Sequence, residues 1–119
     1  MKRAAMILQM LIRLLGLGMI GLGLMFWSGN SLNLIPLHMR LGEVLVALIW
    51  ILCGIAMRGG VSMPFVLGVI LYGVFVVGFA MRMGGFMPDM HEMVRVLHFV
   101  IGLVAIGAAE MVGAKIKRV

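Results

Sequence analysis

Residues 64–82 read PFVLGVILYGVFVVGFAMR, and no charge interrupts them before Arg82. A helix rises about 1.5 Å per residue, so a stretch of this length crosses the hydrocarbon core of a bilayer, about 30 Å thick. Three more stretches have the same character: roughly 10–28, 36–57 and 92–114. None of them alternates apolar and polar residues, which excludes the strands of a membrane barrel. The breaks carry turn chemistry. Ser28-Gly29-Asn30 through Pro36 parts the first two stretches, and proline suits a helix start. Arg58-Gly59-Gly60-Val61-Ser62-Met63-Pro64 parts the middle pair, and Gly84-Gly85-Phe86-Met87-Pro88 precedes the last. Asp89 with Glu92 reads as a helix cap and its reciprocal acid. The expected fold is all-α, a transmembrane four-helix bundle forming one integral membrane domain over residues 1–119.

Composition points the same way. Apolar residues make up 64% of the 119 and charged residues 12%, about half the charged share of an ordinary soluble domain. A small soluble fold leaves much of its surface in water and cannot hide that much apolar area. Lipid removes the conflict, so a bilayer is the first expected partner. The net charge of +6 does not imply nucleic acid, because most of the Lys and Arg sit at helix ends, where they meet anionic head groups. With both chain ends cytoplasmic, that side holds Lys2, Arg3, Arg13, Arg58, Lys115, Lys117 and Arg118, against Arg40, Arg82 and Arg95 outside. This is the orientation the positive-inside rule favours, and it sets Trp27 at the outer interface. Cys53 stands alone, so there is no internal disulfide, and c-type haem attachment lacks its Cys-x-x-Cys-His. Cys53 reads as packing. No small-residue cleavage site follows the first apolar run before Ser28, so that run is expected to be retained. Residues 2–13 admit two readings. They form an interfacial helix with Lys2, Gln9 and Arg13 along one stripe, or they begin a long, tilted first span.

The second and fourth spans align without a gap. Leu37-His38 matches Leu97-His98, Gly42 matches Gly102, Val44 matches Val104 and Arg58 matches Arg118. The first and third align through Gly16 with Gly68 and Gly21 with Gly73. The reading is a duplicated helical hairpin whose halves are related by a parallel pseudo-twofold axis along the membrane normal. His38 and His98 then lie at one depth, about 30 Å above the cytoplasmic arginines.

Two histidines level with each other on facing helices are what b-type haem ligation requires, one imidazole nitrogen from each side of the ring. Gly42 and Gly102, one turn below their histidines, are expected to make room for the macrocycle. Arg40 and Arg95, with Arg82, are expected to pair with its anionic propionates. The candidate cofactor site is therefore His38, His98, Gly42, Gly102, Arg40 and Arg95, with His38 and His98 on the iron. His91, in the first turn of the last helix, is expected to be solvated.

The stretch Phe26-Trp27-Ser28-Gly29-Asn30 through Ile35-Pro36-Leu37-His38, with Val96-Leu97-His98 and Glu110, resembles small bacterial four-span membrane proteins of no established activity. That resemblance covers most of the chain and implies the bacterial cytoplasmic membrane. The paired intramembrane histidines more distantly resemble membrane cytochromes b, including the cytochrome b561 type. Those cytochromes imply bis-histidine haem and electron transfer, many with a second histidine pair near the other face. Here the cytoplasmic half has no histidine. The chain therefore matches at most one such pair, and the expected electron transfer is confined to the outer face.

Two other classes stay open. One is a haem-free accessory subunit of a larger membrane complex or a homo-oligomer, with His38 and His98 as interhelical hydrogen-bonding groups. The other is a small proton-coupled transporter using Glu43 or Glu110, since an ionisable group inside a span is functional by default. The bland reading of both acids is an ion pair, Glu43 with Arg40 and Glu110 with Arg13. Small multidrug transporters have about this length, but they depend on a Glu in the first span, and this first span has none. A quinol could bind beside an outer histidine. The 17 glycines suit close helix packing and the 14 methionines flexible filling, with no regular spacing for copper. No catalytic triad, phosphate loop or zinc motif is present.

Overall fold

A computed structural model describes residues 2–29, 32–82 and 91–118; the side chains of Leu32, Ile35, His91, Glu92, Val94 and Arg95 lie outside the described set. Four helices follow one another: α1 (Lys2–Trp27), α2 (Ile35–Arg58), α3 (Met63–Arg82) and α4 (His91–Arg118). A single 3-10 turn over Leu32–Leu34 leads into α2, with Pro36 in the first turn of that helix, as the sequence implied. Each helix is long and apolar enough to cross a membrane. The fold is the expected all-α transmembrane bundle.

The helix bounds differ from the apolar runs at both chain ends. α1 begins at Lys2 rather than near residue 10, and α4 continues to Arg118 rather than stopping near 114. Backbone hydrogen bonding does not stop where hydrophobicity does. Residues 2–13 are therefore the packed start of one long helix, with Ala5, Gln9 and Ile12 buried, and not a separate interfacial segment. The Asp89–Glu92 cap lies outside the described residues.

The turns obey local chemistry. Gly60 has φ +90°, a backbone state that side chains disfavour. Its N–H donates to the Met57 carbonyl and that of Val61 to the Ala56 carbonyl, which closes the end of α2 as a Schellman motif. Gly29, at φ +83°, serves the same purpose after α1.

α2 packs on α1, α3 and α4, and α4 packs on all three other helices. The α2–α4 seam forms the middle of the bundle, and its buried positions repeat. Leu45, Ile49, Leu52, Cys53 and Ala56 on α2 correspond to Ala105, Ala109, Val112, Gly113 and Ile116 on α4, at the same separation as His38 and His98. Cys53 is fully buried and free, consistent with packing. The first and third helices correspond differently from the glycine alignment. Gln9, Ile12 and Gly16 are buried on α1, and Val66, Val69 and Gly73 on α3, so Gly16 stands where Gly73 stands and not where Gly68 does.

Those two glycines, like Gly113 against Gln9, are places where helices from different hairpins press together. A Cβ on Gly16 would lie 2.7 Å from Ile106 Cδ1 of α4, and one on Gly73 would lie 2.5 Å from Trp50 Nε1 of α2. Without a hydrophobic drive between helices in lipid, such close approach is what holds a bundle together. Leu14, Leu17, Leu71, Val74 and Met81 point outward, apolar where lipid would be. Gly68, by contrast, has open space around its Cβ position. Gly73→Leu is expected to destabilise the bundle by about 1–3 kcal/mol through overpacking. Gly68→Leu is expected to leave the melting temperature in detergent unchanged or higher. Equal losses in the two variants would contradict this packing.

Candidate functional site

The two ends of the bundle are chemically distinct. Lys2 Nζ donates to the Lys117 carbonyl at 3.4 Å, so both chain termini share one end. The histidines lie toward the other. His38 is in the first turn of α2, just after Pro36. His98 is about two turns into α4, which begins roughly one turn higher, so the two side chains meet. Their ring centres are 6.1 Å apart, with 60° between the planes.

Every helix contributes to the site. Phe26, near the end of α1, sets its edge against His38 at 5.3 Å between centres. Phe79, near the end of α3, stacks on His98 at 6.5 Å and 11°. Each histidine thus has an aromatic ring from the preceding helix of its own hairpin. Phe26 enters the sequence reading only as part of the stretch that carries the resemblance, and neither phenylalanine is assigned to the site there. The available signal was an aromatic in the last turns of both odd-numbered helices, facing a histidine on the next.

One atom is out of balance. His38 Nδ1 is buried and has no hydrogen-bond partner among the described residues. A neutral imidazole carries one N–H and one lone pair. Leaving either without a partner inside hydrocarbon costs several kcal/mol, so such an atom points to something it would bind.

The donor set limits what that could be. An imidazole nitrogen sits about 2 Å from a metal, so two rings on opposite sides of one iron have centres about 6 Å apart. A bare zinc ion asks for four ligands. Among the described residues no third His, Cys, Asp or Glu joins these two. Haem brings four nitrogens of its own and needs two more, so the residues present fit it at the level of the iron. Around the macrocycle the fit is uneven. Gly102 has open space at its Cβ position. Gly42 does not: the Met19 methyl of α1 lies 3.1 Å from that position, and this flexible tip would have to give way. The Tyr72 hydroxyl donates to the Ile101 carbonyl at 2.7 Å and ties α3 to α4 beside Gly102.

The charged candidates divide. Arg40 is exposed near His38, and Arg82 is exposed at the end of α3. The Arg95 side chain lies outside the described residues. Glu43 is exposed and forms no ion pair with Arg40, although the spacing allowed one. The pairing of Glu110 with Arg13 is observed. Arg13 Nε and Nη2 donate to the two carboxylate oxygens at 2.6 and 2.7 Å, a bidentate bridge from α1 to α4. Buried Gln9 adds a bond to Glu110 at 3.4 Å and fills the space that Gly113 leaves open.

Comparison with protein-family models, with curated proteins and with solved structures returned no match. The geometry of the site therefore carries the functional reading alone. It can be checked without any cofactor. On a Cys53→Ser background, the double variant His38→Cys/His98→Cys is expected to lose both free thiols to a short bis-maleimide, giving one intramolecular adduct by mass spectrometry. Two independent mono-adducts would mean that the positions do not face each other.

Proposed function

We propose that this chain is a haem-b-binding membrane protein that passes electrons near the bilayer face opposite its termini, with His38 and His98 as the residues that would hold the iron. The observation that carries the reading is a pair of imidazoles with ring centres 6.1 Å apart, one with a buried nitrogen that has no partner among the described residues. When bound, haem b supplies a one-electron ferric–ferrous couple. The chain's own residues would do the rest. His38 and His98 each offer a neutral nitrogen lone pair. Phe26 and Phe79 hold the imidazole planes and exclude water from the ring edges. Gly102 leaves room beside α4, and Arg40 and Arg95 offer positive charge to the propionates. The site lies at one end of the α2–α4 seam, so electrons would enter and leave on one side of the membrane.

The duplicated hairpin belongs to the same reading. It is supported by the matched buried positions of α2 and α4, which share the separation of the two histidines. The excess of Lys and Arg at the termini supports a cytoplasmic location for both chain ends, in a bacterial cytoplasmic membrane.

One observation favours a second reading, an accessory subunit. The Arg13 and Glu110 side chains keep 54% and 37% exposure on the flank of the bundle, and a neighbouring protein would cover them. That reading leaves the orphaned His38 nitrogen without a purpose. The transporter reading is the weakest, because Glu110 is held by two charge-assisted hydrogen bonds and Glu43 faces outward.

The purified protein, expressed with haem precursor, is expected to give a Soret shift and an alpha band in its reduced-minus-oxidised spectrum. His38→Ala and His98→Ala should each abolish stable binding while the helical circular dichroism persists. A protein without these bands would overturn the proposal. Loss in the His98 variant alone would remove His38 from the iron.

A further inference from the structure

At the end that holds the chain termini, a surface cavity of about 230 Å³ is lined by Gly60, Val61, Ser62, Lys115 and Arg118. It forms where the α2–α3 turn meets the last turns of α4. Gly60, in the left-handed region, forms part of that turn. Lys115 is held in place: its ammonium stands 4.8 Å from the centre of the Phe65 ring, in the first turn of α3. Arg118 is exposed at the rim.

The charge at this end is one-sided. The chain has four side-chain carboxylates: Glu43, in the first half of α2, Asp89 and Glu92, which in sequence stand at the start of α4 and not at its end, and Glu110. Glu110 is occupied by Arg13. Lys115 and Arg118 therefore face the cavity without a carboxylate committed to them among the described residues. The amides of the first turn of α3 add to the positive potential. Depth gives the ligand. α4 has 28 residues, about 42 Å of helix against about 30 Å of hydrocarbon, so its last turn stands among the head groups.

We infer that this cavity binds a phosphate oxyanion, the ligand that a lysine and a forked arginine at head-group level recognise. Its source is the phosphodiester of an anionic phospholipid or free phosphate. The site stands independently of the haem reading.

The test places the full chain in phosphatidylcholine discs, with or without a minority of phosphatidylglycerol, and counts retained lipid by native mass spectrometry. A parallel arm follows the melting temperature as inorganic phosphate is added to discs of phosphatidylcholine alone. Several-fold enrichment of phosphatidylglycerol assigns the site to lipid. Stabilisation by phosphate without that enrichment assigns it to the free ion. In either case Lys115→Gln/Arg118→Gln, and more mildly Arg118→Gln alone, should remove the effect. Arg58→Gln, with the same charge change outside the cavity, should keep it. No binding in either arm, or an equal loss with Arg58→Gln, would overturn the inference.

Discussion

Hydrocarbon offers no hydrogen bonds, so a polar atom within a membrane bundle must be satisfied by the protein or by something the protein binds. The described residues of this chain follow that rule in the interior, with one departure. Gln9 bonds to Glu110, Glu110 takes two bonds from Arg13, and the Tyr72 hydroxyl finds a backbone carbonyl. His38 Nδ1 is the departure. It occurs beside a second imidazole, between two phenylalanines, at a level where all four helices contribute side chains. The functional reading follows from that single imbalance and its surroundings.

The two ends of the molecule divide the work. The end with the chain termini is a cationic collar that suits phosphate. The opposite end is aromatic, with its imidazoles drawn together at the top of the α2–α4 seam. Between them, tight contacts at Gly16 and Gly73 fix the hairpins against each other, and the Arg13–Glu110 bridge fixes the register of α1 on α4. Rigidity in the middle is what lets two rings on separate helices keep a 6.1 Å spacing at the end.

Much of the architecture was legible in the residues. Four apolar runs, parted by Gly, Pro and Ser, require four crossings, because periodicity and length leave lipid no other partner. The pairing of Arg13 with Glu110 was legible too, since two opposite charges inside spans have few alternatives. The correspondence between α1 and α3 was not. Matching Gly16 to Gly68 used residue identity, whereas burial pairs Gly16 with Gly73, and only packing distinguishes a glycine that is pressed from one that is open. The same limit explains Gly42. Its place below His38 was readable, but the Met19 methyl lying against it comes from another helix. Phe26 and Phe79 were hidden for a related reason: an apolar ring in an apolar run has no signature until its neighbour is known.

The central claim is that both imidazoles can bind one iron from opposite sides. Electron paramagnetic resonance of the ferric, haem-loaded protein tests it most directly. Two nitrogen ligands predict a low-spin signal, which should be lost together with the haem when either His38 or His98 is replaced. A high-spin signal from the unaltered chain would mean that only one of the two rings reaches the iron, and the account would fail.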